Sequence, residues 1–563
     1  MKAIKYAVGI LLMSLTMNSC ANFLDEEPLD FTTPDNSMVR TEDFQASLNY
    51  LYNRARHMIC GCNQDTRYAF YYATDFAYHS VTTDKLNSYK NVMVPTFGVP
   101  SEVWTQYYVM ISNANVILNR IEQTNQVDED SKNLIRGEAK FFRGYAYSRL
   151  AHLFGGVPLI LEEMSVPRRD YTRATREEVY EQVRKDLSDA ANILPNIETV
   201  KDGKVNKQVA KHLLAETYIC LKDYDKAIEE ASQVISYPEV GLMKERFGSR
   251  KDEEGDVYWD LFRLNNQNRS SGNKEGLWVI QYDYLNPASV DYSMPWAILP
   301  YYQNVQITVK DESGKEVTTK AFAGITDGKG GRGVGWMRMT DHFFYGIWGK
   351  SAQKDIRNSK YNIIRDFKID NPDCPAAGKW FVADGFSKQS QVDTIRQWFP
   401  TITKFSRINN YPEELWQRDS NGNPIMTMFG EHLMVNGAAN SYKDEYFFRL
   451  AETYLLRAEA YLMKGDKKHA TADINVIRDR AHADPATEDE VDIDYLLDER
   501  LRELYGEETR MFTLCRMGKL ADRNRKYNPY TGATIEDYHN LWPIPYSEIE
   551  RNTGAVIEQN PGY

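Results

Sequence analysis

Three dense clusters of aromatic residues are the stretches of this sequence whose side chains are best suited to bind a ligand. Sugar rings present apolar C–H faces that stack on phenol and indole rings, while neighbouring Asp, Asn and Arg side chains bind the hydroxyl groups. Each aromatic residue taken singly is more often part of a core, so that interpretation stays open. The clusters are Tyr68, Phe70, Tyr71, Tyr72, Phe76 and Tyr78; Tyr282, Tyr284, Tyr292, Trp296, Tyr301 and Tyr302; and Trp336, Phe343, Phe344, Tyr345 and Trp348.

Motifs for bond chemistry are absent from the sequence. The G-x-G-x-x-G run from Gly328 to Gly333 follows no buried strand and precedes no clear helix, so it predicts a surface loop rather than a dinucleotide site. The sequence has no G-x-S-x-G and no H-E-x-x-H motif. We interpret His79, His152 and His212 as structural residues. The sequence therefore predicts a protein without catalytic residues, metal or cofactor, although a structural Ca²⁺ site stays open.

A cluster of charged residues surrounds Leu497, Leu501 and Leu504, which share the inward face of a predicted helix. Two carboxylates of this cluster would suit a catalytic site, but ion pairs at helical spacing explain it more simply. We therefore favour a buried structural network. Its members are Glu499, Arg500, Arg502, Glu503, Glu507 and Arg510.

The stretch 446–481 predicts two antiparallel helices. Apolar or small side chains recur four residues apart from Leu450 to Leu462, which places them on one face. Gly465 suits the left-handed turn after a helix, and Asp466 is a good N-cap for the next one. The two-residue turn predicts a hairpin of the tetratricopeptide kind.

Similar helical patterns fill the first half of the chain. Thr41 and Ser101 are predicted N-caps, residues 133–154 form a third helix, and Thr175-Arg-Glu-Glu178 is a capping box. One hairpin cannot bury its own apolar face, so the hairpins must stack on one another. We predict four hairpins in one helical scaffold: about 44–118, 133–194, 208–236 and 446–481.

The stretch of roughly 240–440 is rich in Gly, Pro, Asn and aromatic residues and carries only short strand-like runs, at 277–281, 305–309 and 401–405. The fold class is therefore mostly α: a scaffold of helical hairpins with a large loop-rich insert. Loops on a rigid scaffold commonly carry binding residues.

The N-terminus predicts a secretory signal. Lys2 and Lys5 precede an apolar run that ends at Leu15, and small or polar residues lead to Cys20. A cysteine at the cleavage position indicates a lipoprotein with a lipid on Cys20; an ordinary secreted protein is the alternative. The predicted regions are 1–19 as signal peptide and 20–40 as a lipidated acidic tether, so the protein is anchored to a membrane and does not span it.

Bulk composition excludes some partners. The chain has 563 residues, of which 42% are hydrophobic and 26% charged, with a net charge of −12 and a mean hydropathy of −0.57. A nucleic-acid partner is not expected, because such proteins normally carry a basic face. With Cys20 lipidated, five cysteines remain, an odd number that argues against a full disulfide framework. The disulfide state of Cys60 and Cys62 stays open.

The order of elements in the last third resembles the RagB/SusD family of nutrient-binding outer-membrane lipoproteins. The resemblance rests on RAEAYLMKGD, DINVIRDRA and ERLRELYGEETR, with WPIP (Trp542–Pro545) and QNPGY (Gln559–Tyr563) as the closing segment. The start NFLDEEP is also similar. The resemblance implies a SusD-like fold with an N-terminal helical region (41–240), a ligand-binding insert (241–440) and a C-terminal helical region (441–563).

The resemblance also implies a function. Such a protein lies at the surface of the outer membrane, captures an oligosaccharide or polysaccharide without cleaving it, and passes it to a SusC-like TonB-dependent transporter. In this family the ligand face is built by loops of the N-terminal region and the insert. The residues in those stretches are Tyr72, Asp75, Tyr89, Tyr292, Trp296, Tyr302 and Trp336.

Two alternatives remain at this point. An oligopeptide-binding protein of the same uptake system would have a cleft lined with backbone-pairing strands and charge pockets. A lipid-anchored hydrolase would need two carboxylates in a cleft, one of them with a raised pKa. The net charge disfavours a strongly acidic glycan, unless a local basic pocket (Arg332, Arg338, Lys350 or Arg357) overrides it.

Overall fold

The computed structural model describes residues 38–61, 64–286, 289, 292–388 and 396–563. The predicted signal peptide, Cys20, most of the predicted tether and Cys62 lie outside the described residues. Within these ranges, no helix combines the length and apolar character needed to cross a membrane.

Eight helices occupy the described part of residues 38–240. Their hydrophobic faces are those predicted from the periodicity: Phe44, Leu48 and Leu51 are buried on the first, for example. The helices are α1 (Thr41–Arg56), α2 (Gln64–Ala69), α3 (Tyr89–Val92), α4 (Gly98–Gln123), α5 (Glu129–Phe154), α6 (Arg176–Ile193), α7 (Lys207–Cys220) and α8 (Tyr224–Ile235).

Two predicted helix starts were wrong by a few residues. Thr41 is the first residue of α1 rather than its cap; the backbone N–H of Arg40 donates to the Asp43 carboxylate at 3.0 Å. Ser101 lies inside α4, which begins at Gly98. The capping box before α6 is confirmed, because Thr175 Oγ1 accepts from the backbone N–H of Glu178 at 3.2 Å.

A loop-rich insert follows α8 and carries short elements. Its elements are α9 (Val257–Asp260), β2 (Gly276–Ile280), α10 (Met294–Ile298), β3 (Gln306–Lys310), β4 (Glu316–Lys320), β5 (Met337–Met339), β6 (Ile363–Ile364) and β7 (Thr401–Ile402). Strand β1 (Ala77–His79) precedes the insert, and β8 (Glu445–Arg449) follows it. Among the described residues, the strands form four two-stranded antiparallel sheets, in which β1 pairs with β5, β2 with β8, β3 with β4, and β6 with β7.

The predicted surface loop at 328–333 is instead packed inside the insert. A Cβ atom added at Gly331 would lie 2.4 Å from the carbonyl oxygen of Ala438, so only glycine fits there. Lys329 is 1% exposed, and its ammonium pairs with Asp370 at 2.6 Å and Glu431 at 2.5 Å. The glycines allow close approach of backbone segments rather than mobility at a surface.

The C-terminal helices return to the scaffold. Gly465 has a left-handed conformation (φ 87°) and the Asp466 carboxylate accepts from the backbone N–H of His469 at 3.1 Å, as the sequence predicted for the hairpin turn. The predicted helix start at residue 446 was wrong, because residues 445–449 form β8. The helices are α11 (Leu450–Lys464), α12 (Lys467–Arg480), α13 (Ile493–Leu504), α14 (Arg510–Arg516), α15 (Leu520–Tyr527) and α16 (Tyr546–Arg551).

The scaffold is one continuous stack. Each of the pairs α4–α5, α5–α6, α6–α7 and α7–α8 is in contact, and α11 packs on α8 although the insert separates them in the chain. The stack buries the apolar stripes that single hairpins would leave exposed. The mostly helical fold with short strands is therefore confirmed.

The charged cluster on α13 is a buried ion-pair network. Glu499 pairs with Arg357 at 2.8 Å and Arg478 at 2.9 Å, and Glu503 pairs with Arg449 at 2.8 Å. Burial opposes ionisation, but the three arginines around Glu499 hold its pKa at about 2. The interpretation as a structural network is confirmed.

Candidate functional site

Five of the seven residues predicted to contact ligand are buried. Tyr72, Asp75, Tyr89, Tyr292 and Tyr302 are at most 4% exposed, which corrects the expectation that they face a ligand. Sequence position placed them in the right stretches, but it could not distinguish a core ring from a surface ring.

Asp75 links the N-terminal region to the C-terminal helices α14 and α15. Its carboxylate accepts from Arg510 at 2.7 and 2.9 Å and from Arg523 at 2.8 Å. Burial raises the pKa of Asp75, but the two guanidiniums outweigh it and hold the pKa well below its ordinary value. This carboxylate is therefore a structural counter-ion.

The buried tyrosines have internal contacts too. The hydroxyl of Tyr89 donates to the carbonyl oxygen of Ala73 at 2.5 Å, and that of Tyr302 donates to the carbonyl oxygen of Gly331 at 2.7 Å. Tyr292 packs edge-on against Phe405, with ring centroids 6.1 Å apart. The Tyr89 contact lies within the N-terminal region and the other two lie within the insert, so these tyrosines stabilise their own regions.

Trp296 and Trp336 form a half-buried pair. Their ring centroids are 4.6 Å apart at an angle of 55°, and Trp336 also lies 5.7 Å from the His79 ring. The indole N–H of Trp296 has no acceptor among the described residues. The structure thus brings these two predicted residues together, and ligand binding by them stays a prediction.

A groove in the insert is lined by residues of the third aromatic cluster. The groove has a volume of about 550 Å³, and two of the rings that line it are well exposed: Tyr345 at 60% and Trp380 at 45%. We call it the insert groove. It is lined by Phe344, Tyr345, Trp348, Ala352, Gln353, Asn358, Lys360, Ile363, Ile364, Arg365, Asp366 and Trp380.

The turn that carries Tyr345 is anchored on both sides. It is a π-helical turn, His342–Gly346, in which Phe343 and Phe344 are buried. His342 Nε2 lies 2.9 Å from Asp498 Oδ1 on α13, and its ring stacks on Tyr527 of α15 at a centroid distance of 3.5 Å. Because its neighbours are fixed, the Tyr345 ring is presented to solvent on a rigid support.

Trp380 is an exposed residue next to a buried one. The next residue, Phe381, is fully buried against Trp398 at a centroid distance of 4.5 Å, so Trp380 points the other way. The backbone N–H of Trp380 donates to Asp384 Oδ2 at 2.7 Å. Both exposed rings therefore have a defined backbone position.

The groove has an apolar floor and polar sides. Phe344, Trp348 and Ile363 are at most 3% exposed, and the indole N–H of Trp348 donates to the carbonyl oxygen of Phe343 at 2.9 Å. Gln353, Asn358, Lys360 and Arg365 add amide, ammonium and guanidinium groups. Exposed rings beside hydrogen-bonding groups are the combination that recognises a sugar ring.

A second cavity, of about 440 Å³, lies between α4 and the C-terminal segment. Its aromatic residues are less available: Trp104 is 4% exposed, and the hydroxyl of Tyr108 donates to the carbonyl oxygen of Pro158 at 2.7 Å. The insert groove is the better candidate for stacking.

The groove is not arranged for bond cleavage. Among the described residues, Asp366 is the only carboxylate that lines it, and its oxygens accept from the backbone N–H groups of Val382 at 2.7 Å and Ala383 at 2.9 Å. A glycosidase needs two carboxyl groups around the scissile bond. The parts of the chain that the structure describes also contain no group of three or more His, Cys, Asp or Glu placed to hold a metal ion.

Sequence reasoning found part of this groove. Tyr345 and Trp348 belong to the third aromatic cluster, whereas the predicted basic pocket (Arg332, Arg338, Lys350 or Arg357) does not include Arg365. Trp380 was missed because it stands outside the clusters. Its neighbour Phe381 is aromatic as well, so no pattern in the sequence separates the exposed ring from the buried one.

Two family models match the chain. Residues 22–219 match the family model described as "Starch-binding associating with outer membrane", and residues 274–563, more than half of the chain, match the model described as "SusD family". The chain belongs to the SusD family. This confirms the resemblance read from the C-terminal motifs.

Known proteins are similar to the whole chain or to part of it. SusD-like protein P2 of Formosa agariphila is 25% identical over 578 residues, which cover 99% of this chain and 100% of the relative. Starch-binding protein SusD of Bacteroides thetaiotaomicron is 37% identical over 137 residues, 23% of each chain. A solved structure described as a laminarin-binding SusD-like protein superposes with a TM-score of 0.65 at 20% identity, covers 93% of this chain and 100% of that one, and shares the fold.

Proposed function

We propose that this protein binds a glycan in the insert groove and acts as a capture protein for nutrient uptake, without catalysis. The observation that carries the proposal is the exposure of Tyr345 and Trp380 beside a groove of about 550 Å³ that also offers amide and cationic side chains. Stacked rings supply affinity that tolerates chain length, while the polar groups select hydroxyl patterns.

Relatives support the glycan assignment. One relative is named for binding starch, and one structural neighbour is named for binding laminarin. The description of the matching N-terminal family model mentions association with the outer membrane. These names concern other proteins. For this chain, the proposal rests on the exposed rings and polar groups of the insert groove.

We further propose that the protein is anchored at the surface of the outer membrane by a lipid on Cys20, and that it delivers its ligand to a SusC-like TonB-dependent transporter. The signal-like N-terminus with its acidic tether supports the anchor, and family membership supports the partner. Lipid analysis of the purified protein and co-purification with an outer-membrane transporter are the direct tests.

The test of glycan binding is calorimetric titration of the purified protein with neutral and acidic oligosaccharides and with a peptide digest. Tyr345→Ala and Trp380→Ala should each weaken binding by about 1–2 kcal/mol, or roughly five- to thirty-fold, because each removes a stacking ring. Tyr50→Ala is the matched control, since Tyr50 is 39% exposed on α1, away from the groove. No new reducing ends should form during incubation.

Three results would contradict the proposal. Binding of peptides alone would support the oligopeptide alternative, and release of reducing ends would support a hydrolase. A loss of glycan binding in Trp296→Ala, with none in Tyr345→Ala or Trp380→Ala, would move the site to the Trp296–Trp336 pair.

A further inference from the structure

Arg365 is a cation of the insert groove whose hydrogen-bond acceptors are all neutral. It lines the insert groove, and its Nη2 donates to the carbonyl oxygen of Phe344 at 2.9 Å and to Asn358 Oδ1 at 2.7 Å. Two longer contacts from Nη1, at 3.5 Å, reach the carbonyl oxygens of Asn358 and Ile363. All of these acceptors are neutral.

No carboxylate among the described residues lies within ion-pair distance of Arg365, and no described acceptor takes its Nε–H. The side chain is only partly exposed, and burial lowers the pKa of Arg365. A partly desolvated guanidinium without a counter-ion is under-satisfied, because carboxylates form the stronger, charge-assisted hydrogen bonds with it.

The surrounding charges add to this positive character. The Lys360 ammonium also lines the groove, and its ion pair is a loose, exposed contact of 3.5 Å with Glu254. Lys368 lies over the Trp380 ring, 5.4 Å from the centroid. The Asp366 carboxylate accepts from two backbone N–H groups and forms no ion pair with Arg365, so among the described residues the groove is lined by one carboxylate against the two cations Lys360 and Arg365.

The net charge of −12 does not rule out an anionic ligand here. Charges on the rest of the surface are screened over about 8 Å at physiological ionic strength, whereas a contact inside the groove is screened much less. The local set of cations therefore decides the preference of the groove.

We propose that the ligand of the insert groove is an anionic glycan, whose carboxylate or sulfate group is bound by Arg365 while a sugar ring stacks on Tyr345 or Trp380. The inference rests on the proposed function and makes it more specific. Nη2 already donates to Phe344 and Asn358, so an anionic oxygen would accept from Nε–H or Nη1–H in a charge-assisted hydrogen bond.

The experiment compares ligands of equal length: a neutral oligosaccharide, an oligouronate and a sulfated oligosaccharide, titrated at 50 and 300 mM NaCl. The protein should bind one of the acidic ligands at least about ten-fold more tightly than the neutral one, with weaker binding at the higher salt concentration. Whichever anion binds more tightly identifies the natural group.

Variants assign the preference to the groove. Arg365→Gln should reduce the ratio of acidic to neutral affinity towards one, and Arg365→Lys should keep part of it, because the charge remains but the directed N–H donors of the guanidinium are lost. Lys468→Gln, at an exposed position on α12, makes the same change in net charge far along the chain and should leave the ratio unchanged. Thermal unfolding of each variant checks that it is folded.

The possible failures are separable. If neutral glycans bind as tightly as acidic ones, and Tyr345→Ala weakens both, the anionic preference is refuted while the glycan-binding function stands. If an acidic preference persists in both Arg365 variants, the role of Arg365 is refuted. If no glycan binds, the proposed function itself fails.

Discussion

Arg357 and Arg365 lie close together in the sequence but in opposite electrostatic environments. Arg357 is fully buried and pairs with Asp355 at 2.7 Å, Glu499 at 2.8 Å and Glu503 at 3.2 Å. Arg365 meets only neutral oxygens at the wall of a groove. Carboxylates of the protein itself pair with Arg357, whereas the charge of Arg365 remains available to a bound ligand.

This difference separates structural charge from functional charge. A buried ion is tolerated when partners compensate its lost hydration, and it then fixes the elements that carry them. Arg357 in this way ties the insert to α13. A cation that lacks such partners at a concave surface adds little to the fold and can contribute its interaction energy to binding.

The largest predicted effect is on the structural side of this comparison. Arg357→Ala should lower the free energy of unfolding by about 3–5 kcal/mol, because it removes a buried cation shared by three carboxylates and leaves Asp355 without an ion-pair partner among the described residues. Arg365→Gln should change it by no more than about 1 kcal/mol. Urea unfolding followed by circular dichroism measures both, and equal losses in the two variants would break the comparison.

An intermediate effect concerns pH. Glu499 has three arginine partners, whereas Glu452 is bonded to Arg500, which it shares with Glu508. Burial raises the pKa of Glu452 to about 7 despite Arg500. A carboxyl group whose folded pKa lies above its unfolded value of about 4.3 stabilises the fold fully below that value, and the contribution is lost as the pH rises through about 7.

Buried histidines with a lowered pKa, such as His152 and His212, contribute a slope of opposite sign, so the comparison is with the variant. Relative to Glu452→Gln, the unchanged protein should lose about 1–3 kcal/mol of unfolding free energy between pH 5 and pH 8. Burial also raises the pKa of Glu445 to about 7, so part of the slope should remain in the variant. Urea midpoints at four pH values test this. An unchanged slope in Glu452→Gln would show that Glu452 is ionised throughout, like Glu499.

The smallest effect is expected for the most exposed cation of the groove. Lys360→Gln should leave the urea midpoint unchanged, because its pairing with Glu254 is a surface contact. Affinity for an acidic oligosaccharide should fall by roughly two-fold. A loss as large as that of Arg365→Gln would show that burial does not distinguish the two cations.

Much of the scaffold could be predicted from the sequence because its signals are local. Gly465 and Asp466 mark a helix end and a helix start within two residues, and the apolar stripes of the paired helices follow from spacing alone. The strand β8 was missed because its aromatic residues fit either a helix or a strand. Its partner β2 lies far earlier in the chain, so local pattern could not decide.

The candidate site was harder to predict because it depends on exposure and on the absence of partners. Tyr72 and Tyr345 both lie in aromatic clusters of the sequence, yet one is 1% exposed and the other is 60% exposed. The positive charge of Arg365 can be read from its type. That no carboxylate among the described residues forms an ion pair with it can be known only from the folded structure.

The pairing of β2 with β8 has a consequence for how this protein can diverge. The two strands pair Gly276, in the first part of the insert, with Arg449, directly before α11. The ends of the intervening loops are therefore fixed whatever their length, and each doubling of a flexible loop costs only about 0.6 kcal/mol. The scaffold can be inherited unchanged while the loops between these strands are lengthened, shortened or replaced.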